Sequence, residues 1–183
     1  MTDDSLYSRF LEGDSSAFDE LILSYSARLV LYLNGFTHNM QDAEDLSIET
    51  FAKILIKRPA IRSGCFQAYL YKAARNQATR FHALKLRMRT FSVDDTQIEE
   101  ALIAKPEDQF LHDERKQAIR RCLCRIDPEP REALWLVYCE EMTYAQAAAV
   151  LGVNAKKVNH WLTKGKQQMK VELAKEGITD ADR

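Results

Sequence analysis

The chain has 183 residues and is close to neutral, with 26 Lys and Arg against 27 Asp and Glu. That length suits one ordinary domain or two small ones. No apolar run approaches the roughly 18 residues of a membrane span, and the acidic start MTDDSLYSRF lacks the basic and apolar regions of a secretory leader, so a cytoplasmic location is expected. With only six glycines and four prolines, and long periodic stretches rich in Ala, Leu, Lys, Glu and Gln, the composition predicts an all-α fold.

The near-zero net charge conceals blocks. Residues 1–50 carry ten acids against Arg9 and Arg28, and residues 69–89 carry six bases and no acid. Residues 90–114 carry eight acids against Lys105, and residues 155–175 carry six lysines against Glu172. Two separated basic blocks suggest two separate contacts with a polyanion.

Taken in order, the first predicted helix covers roughly 16–36, with Phe18, Leu21, Ile22, Tyr25, Leu29, Tyr32, Leu33 and Phe36 on its apolar face. THNM breaks it. Asn39 then reads as an N-cap, with Asp42 at the capping-box position. The next helix reaches about Lys57 and is expected to bury Ala43, Leu46, Phe51, Ile54 and Leu55. KRPAIRSG is a turn punctuated by Pro59 and Gly64. A third helix runs from about Phe66 to Met88. Residues 1–89 thus form a first helical domain of three to four helices. Residues 90–112 read as an acidic linker, at least partly disordered on its own. A second domain of four helices, 113–175, opens with a helix from about Glu114 to Arg125. Another helix starts at Pro130, a residue tolerated in a first turn, and ends near Glu140. A two-helix unit follows, then a loose polar tail, 176–183.

Four cysteines are present: Cys65, Cys122, Cys124 and Cys139. A lone C-x-C lacks zinc-site spacing. Cys122 shares a face with Ile119 and Ile126 and reads as a core thiol. Neither Cys139 nor His160 has a triad partner at a recognisable spacing, so no catalytic residue, metal or cofactor is expected.

The two-helix unit is YAQAAAVLGVNAKKVNHW, from Tyr144 to Trp161. Ala148 is small where two helices must cross. Gly152 stands where the turn needs positive φ. Leu151, Val153 and Val158 clamp the pair, and Trp161 and Leu162 close the same face. Thr143 and Asn154 are predicted N-caps. The outward residues Ala155, Lys156, Asn159, His160, Thr163 and Lys164, with Asn154 and Lys157 at the helix start, fit a recognition helix entering a major groove. A helical hairpin with a solvated basic face is the alternative.

Two further stretches carry pattern. MQDAEDLSIETFAKIL puts Asp42, Asp45 and Glu49 on one stripe opposite Leu46 and Phe51, and a solvated face with a Glu49–Lys53 pair accounts for it. FQAYLYKAARNQATRFHALKLRMR interleaves aromatics and bases. Aromatics stack on unpaired bases while Lys and Arg neutralise phosphates. Leu70 and Ala73 read as core, whereas Tyr69 and Tyr71 fit either a core or a nucleic-acid surface.

These motifs converge. DAEDLSIETF, YLYKAARN and REALWLVYCEEMTYAQAAAVLGV resemble, in order, segments of the extracytoplasmic-function (ECF) group of the sigma-70 family of bacterial RNA polymerase sigma factors, over about residues 10–89 and 113–174. The resemblance implies that the acidic helix docks on a coiled coil of the polymerase β′ subunit through Asp42, Asp45, Leu46, Glu49, Thr50 and Phe51. It implies that the next helix and the loop before it recognise and open the −10 promoter element through Tyr69, Lys72, Arg75 and Asn76, with Arg80 on the same helix. The helix-turn-helix would read the −35 element with its domain on the β flap. An anti-sigma factor is a further implied partner, and the polymerase does the chemistry.

The departures are Ile48 for the usual glutamine, Tyr69 for tryptophan, Arg80 at an acidic position, Asn159-His160-Trp161 for a basic-Ser-Arg run, and Gly165 for alanine. A stand-alone helix-turn-helix regulator would leave the acidic stripe and YLYKAARN unexplained. A sigma-like decoy, occupying polymerase or an anti-sigma factor without reading DNA, is the remaining alternative.

Overall fold

The computed structural model describes residues 2–89 and 114–178, with side-chain surroundings for 2–87 and 118–178. Among these residues the chain is all helical. It divides into two compact units, with the division between Ala104 and Lys105. The expected acidic linker, 90–112, lies outside the described residues.

The first unit holds α1 (Asp3–Leu11), α2 (Ser15–Thr37), α3 (Met40–Lys57) and α4 (Phe66–Arg89). α1 was not among the predicted elements. Its Leu6, Tyr7 and Phe10 occupy one face and are buried, and two acids sit in its first turn, where the helix dipole favours them. Asp14 caps α2 by accepting from the Ser16 amide. His38 ends α2 in the left-handed region, at φ 52°, and Asn39 starts α3 by accepting from the Asp42 amide at 3.0 Å. The expected THNM break is therefore a two-residue corner.

Aromatic rings join all four helices. Phe10 stacks tilted on Phe18 at 4.6 Å, Phe18 meets Phe51 edge-on at 6.3 Å, and Tyr7 lies 5.1 Å from Phe66. Tyr32 meets Tyr71 edge-on at 5.0 Å. Each such pair adds about 0.5–1.5 kcal/mol beyond the area it buries. Tyr71 is thus a core residue, while Tyr69 is 36% exposed. Two core assignments need correction. Leu55 is 44% exposed because the α3 core face is narrower than the apolar run, and Ala74, not Ala73, is fully buried on α4. Alanine is too small to mark a helix face by periodicity.

The second unit holds α5 (Glu114–Arg125), α6 (Pro128–Leu134), α7 (Tyr144–Leu151) and α8 (Ala155–Lys175), with a π-helical turn over Trp135–Cys139 after α6. The single predicted helix from Pro130 to Glu140 is therefore an α-helix that starts two residues earlier and widens into a π turn. α8 is the central strut, packed on α5, α6 and α7. Ala118 and Cys122 line the buried face of α5, with Ile126 buried just past its end and Ile119 half-buried beside them. Burial pushes the Cys122 thiol up, which keeps it neutral.

Gly165 explains the tight seat of α8. A Cβ there would stand 2.8 Å from Leu134 Cδ1, 3.1 Å from Leu134 Cγ and 3.2 Å from Pro130 Cβ. The bare backbone lets α6 approach where a methyl would collide.

The tail is tied down at its start. Glu176 accepts from Arg121 Nη2 at 3.0 Å and Arg125 Nη1 at 2.9 Å, joining the end of α8 to α5. Gly177, at φ 76°, turns the chain, and the Ile178 amide returns to the Leu173 carbonyl at 2.9 Å. This is a Schellman closure, in which glycine accepts the left-handed conformation without a Cβ penalty. The polar tail expected from 176 onward is ordered through Ile178, and the rest lies outside the described residues.

Candidate nucleic-acid interface

The helix-turn-helix is built from local capping. Thr143 Oγ1 accepts from the Gln146 amide at 3.2 Å, and Gln146 Oε1 accepts from the Thr143 amide at 2.9 Å. That reciprocal box starts α7. Gly152 takes φ 70°, and the Val153 amide reaches back to the Ala148 carbonyl at 3.1 Å. Asn154 Oδ1 accepts from the Lys157 amide at 2.9 Å and starts α8. Each of these features is worth about 0.5–2 kcal/mol in a helix that depends on its cap. Val158 and Leu162 are buried against α7 and its neighbours, as the apolar spacing required.

Of the eight residues assigned to this surface, all are exposed. Their roles separate, however. Asn154 Oδ1 is spent on the cap, and Thr163 Oγ1 donates to the Asn159 carbonyl at 3.0 Å. Lys157 Nζ lies 5.5 Å above the Trp161 ring, so the indole serves as a half-buried cation–π platform. Lys164 Nζ pairs with Asp127 Oδ2 at 2.5 Å. Lys156, Asn159 and His160 remain as exposed polar side chains along the helix, flanked by Ala155.

Asp127 itself was not anticipated. It stands at the N-cap of α6 but makes no capping bond there. Its carboxylate accepts from Lys164 and, at 2.9 Å, from Gln168 Nε2. Those two partners, Lys164 first, hold its carboxyl below the usual value. The 37-residue separation between Asp127 and Lys164 leaves no sequence signature.

On α4, Tyr69, Lys72, Asn76 and Arg80 recur every three or four residues and share one exposed face, while Arg75 is half-buried at its side. Lys85 points elsewhere, pairing with Asp42 of α3 at 3.1 Å and lying 5.4 Å from the Phe81 ring centroid. One base of the second charge block is therefore turned toward the acidic helix.

On α3, Asp45 and Glu49 are exposed and Asp42 is half-exposed, so the acidic stripe reaches solvent. Leu46, Thr50 and Phe51 do not. They are buried, Thr50 fully so, with Phe51 against Phe18 of α2 and Thr50 against Gln77 of α4. A polar chain runs beneath the stripe. Lys53 Nζ donates to Glu49 Oε1 at 2.6 Å and to Gln77 Oε1 at 2.6 Å. Gln77 Nε2 donates to Thr50 Oγ1 at 2.6 Å, and Thr50 donates to the Leu46 carbonyl at 2.7 Å. Gln77 is only 7% exposed, and its amide is satisfied at both ends. The sequence showed the Glu49–Lys53 pair but gave no reason to join it to Gln77.

Among the described residues, no group of three or more His, Cys, Asp and Glu is placed to hold a metal ion, and no helix is long and apolar enough to cross a membrane. Cys139 is exposed, yet partial desolvation and then the Glu140 carboxylate push its thiol up, away from the thiolate a nucleophile needs.

The fold is thus that of a bipartite helical protein ending in a helix-turn-helix. Two family models match it, "Sigma-70 region 2" over residues 21–87 and "Sigma-70, region 4" over residues 116–169. The ECF RNA polymerase sigma factor SigE of Mycolicibacterium smegmatis is 30% identical over 168 residues, which is 89% of this chain and 65% of that protein. The RNA polymerase sigma-H factor of Pseudomonas aeruginosa is 29% identical over 81% of this chain and 82% of its own length. The chain belongs to the sigma-70 family of sigma factors, within the ECF group. It spans slightly less than two thirds of the SigE relative. A similar fold occurs in the sigma factor RpoE of Bartonella quintana, solved with the anti-sigma factor NepR, at 20% identity and a TM-score of 0.66 over 86% of this chain and 96% of that one. CnrH, solved with the cytosolic domain of CnrY, gives a TM-score of 0.65 at 20% identity over 94% of this chain and 97% of that one.

Proposed function

We propose that this protein binds core RNA polymerase in the cytoplasm and directs it to promoters, with the first unit serving the −10 element and the second the −35 element. The observation that carries this reading is the capped helix-turn-helix, whose α8 presents Lys156, Asn159 and His160 to solvent. Asparagine pairs bidentately with adenine, and lysine reaches guanine or phosphate. The exposed α4 face of Tyr69, Lys72, Asn76 and Arg80 supports contact with opened DNA, because an aromatic beside cations suits an unpaired base. Family membership supplies the polymerase. Asp42, Asp45 and Glu49 are the contacts assigned to its β′ coiled coil, and Leu46, Thr50 and Phe51 hold those carboxylates in place from within the core. The β flap is the assigned seat of the second unit, and residues 90–112 are assigned as the acidic linker. An anti-sigma factor is a further proposed partner, supported by the complex of the sigma factor RpoE with the anti-sigma factor NepR among the structural neighbours.

The test is run-off transcription with core polymerase on the host's own promoters. Promoter-dependent transcripts establish the activity, and Asn159→Ala with His160→Ala impairs −35-dependent initiation while leaving core binding intact. Stable core binding without initiation identifies a decoy, and failure to bind core overturns both.

A further inference from the structure

The family match begins at residue 21, so α1 lies outside it and its role is not supplied by membership. Besides packing on α2 and α4 through Phe10 and Tyr7, α1 holds one loop by four polar and ring contacts. Tyr7 Oη donates to the Pro59 carbonyl at 2.7 Å across 52 residues of sequence. Asp4 accepts from Ser63 Oγ at 3.2 Å and from the Gly64 amide. Phe10 lies under the Arg58 guanidinium, 4.8 Å from ring centroid to Cζ. Every one of these partners belongs to the segment 58–65 between α3 and α4.

That segment has conformational work to do. Arg58 closes α3 at φ 41° and Gly64 sits at φ 75°, both in the left-handed region. A non-glycine residue holds such a conformation only where its surroundings impose it. α1 supplies those surroundings, gripping Arg58 and Pro59 at one end and Ser63 and Gly64 at the other. Between the grips lie Ala60 and Arg62, both exposed, and Ile61, half-buried. Tyr69 begins the exposed α4 face one turn beyond. It is also close enough to Tyr7 for its phenol, after burial, to help push the Tyr7 hydroxyl up, against Arg58.

We infer that α1 is a positioning element for promoter reading: through Asp4 and Tyr7 it fixes the 58–65 loop so that Ala60, Ile61 and Arg62, together with Tyr69, present one pre-formed surface to an unpaired base of the −10 element. The inference rests on the proposed sigma function and adds to it the residues that set its selectivity. A loop held in its binding conformation loses less entropy on capture of a base, and it rejects wrong bases because it does not re-form around them. Asp4 and Tyr7 touch the loop and not the DNA, so their effect is on discrimination.

The test uses full-length protein carrying Asp4→Ala, Tyr7→Phe, or both. Tyr7→Phe removes one hydroxyl and keeps the buried ring. Three readouts are taken: amide hydrogen exchange of the free protein, affinity for core polymerase, and transcription from a promoter library randomised across the −10 element. The expected result has faster exchange at Gly64 and its neighbours, core affinity within about twofold of wild type, and preference at one −10 position reduced about fivefold, the effect of one ordinary hydrogen bond. Unchanged loop exchange overturns the pinning. Faster exchange with an unchanged base-preference profile overturns the positioning role and leaves α1 as core. A uniform loss on all library members with no change in preference does the same. Should Asp4→Ala unfold the first unit, Tyr7→Phe alone decides. A wild-type protein that yields no promoter-dependent transcript overturns the proposed function instead, and the exchange measurement still decides whether α1 holds the loop.

Discussion

Replacing Gly165 with alanine sets two effects against each other. In an exposed helix interior, alanine is favoured over glycine by about 1 kcal/mol, so α8 alone would be strengthened. The packing says otherwise. The new Cβ would stand 2.8 Å from Leu134 Cδ1 and 3.2 Å from Pro130 Cβ. Leu134 is buried and has little room to rotate, and Pro130 is fixed by its ring in the first turn of α6. Overpacking of this kind costs about 1–3 kcal/mol. The net expectation is a loss of about 1 kcal/mol, or a melting point lower by roughly 4–8 °C for a unit of this size. Both tryptophans, Trp135 and Trp161, lie in the second unit, so tryptophan fluorescence follows its unfolding separately from the first. Because Gly165 also seats the helix that carries Asn159 and His160, the same variant should weaken −35-dependent initiation. A variant that melts at or above the wild-type temperature would refute the close-contact argument.

Four other outcomes are expected. Asn154→Ala removes the cap of α8 and should cost about 1 kcal/mol of second-unit stability, read by the same fluorescence melt. Gln77→Leu removes the donor to the buried Thr50 oxygen, which keeps its own bond to the Leu46 carbonyl, and removes one Lys53 contact; the two lost bonds should cost about 1–3 kcal/mol in urea unfolding of the first unit. Asp45→Asn with Glu49→Gln should leave the melt nearly unchanged but weaken core binding, by up to about fivefold per charge, with the difference shrinking at high salt. The carboxyls of Glu176, beside Arg121 and then Arg125, and Asp127 are both held below their usual values. A depressed folded-state pKa stabilises fully above the unfolded value, and that contribution is lost as pH falls through the folded value. The second unit should therefore lose stability on acidification below about pH 4, the ordinary carboxylate range, and Glu176→Gln should flatten that loss in melts taken between neutral and strongly acidic pH.

What the sequence made legible was local. Thr143, Gly152 and Asn154 act on backbone groups within a few residues, so their roles follow from chemistry and spacing, and the structure places all three as expected. The charge blocks likewise survive as exposed faces of α3, α4 and α8. Long-range partners were invisible. Nothing near Lys164 announces Asp127, and nothing near Lys53 announces Gln77. Gly165 read only as a departure from the usual alanine, because the sequence around it describes its own helix, whereas the reason for it stands on α6. α1 was missed because nine residues with three buried side chains give too short a period to recognise. Thr50 and Phe51 sat within a matched motif, yet the motif could not say which members face solvent.

The Lys164–Asp127 pair has a consequence that salt titration would expose. A lysine in open solution that meets a DNA phosphate displaces condensed cations, and each such contact steepens the fall of affinity with salt by about 0.9 in log–log slope. Lys164 already has an anion of its own. To meet a phosphate it must abandon Asp127, leaving a carboxylate to gather fresh cations from solution. If both lysines meet phosphates as proposed, Lys164 should add less to the slope than Lys156, and a count of lysines on α8 would overstate how strongly salt governs the grip of this unit on DNA.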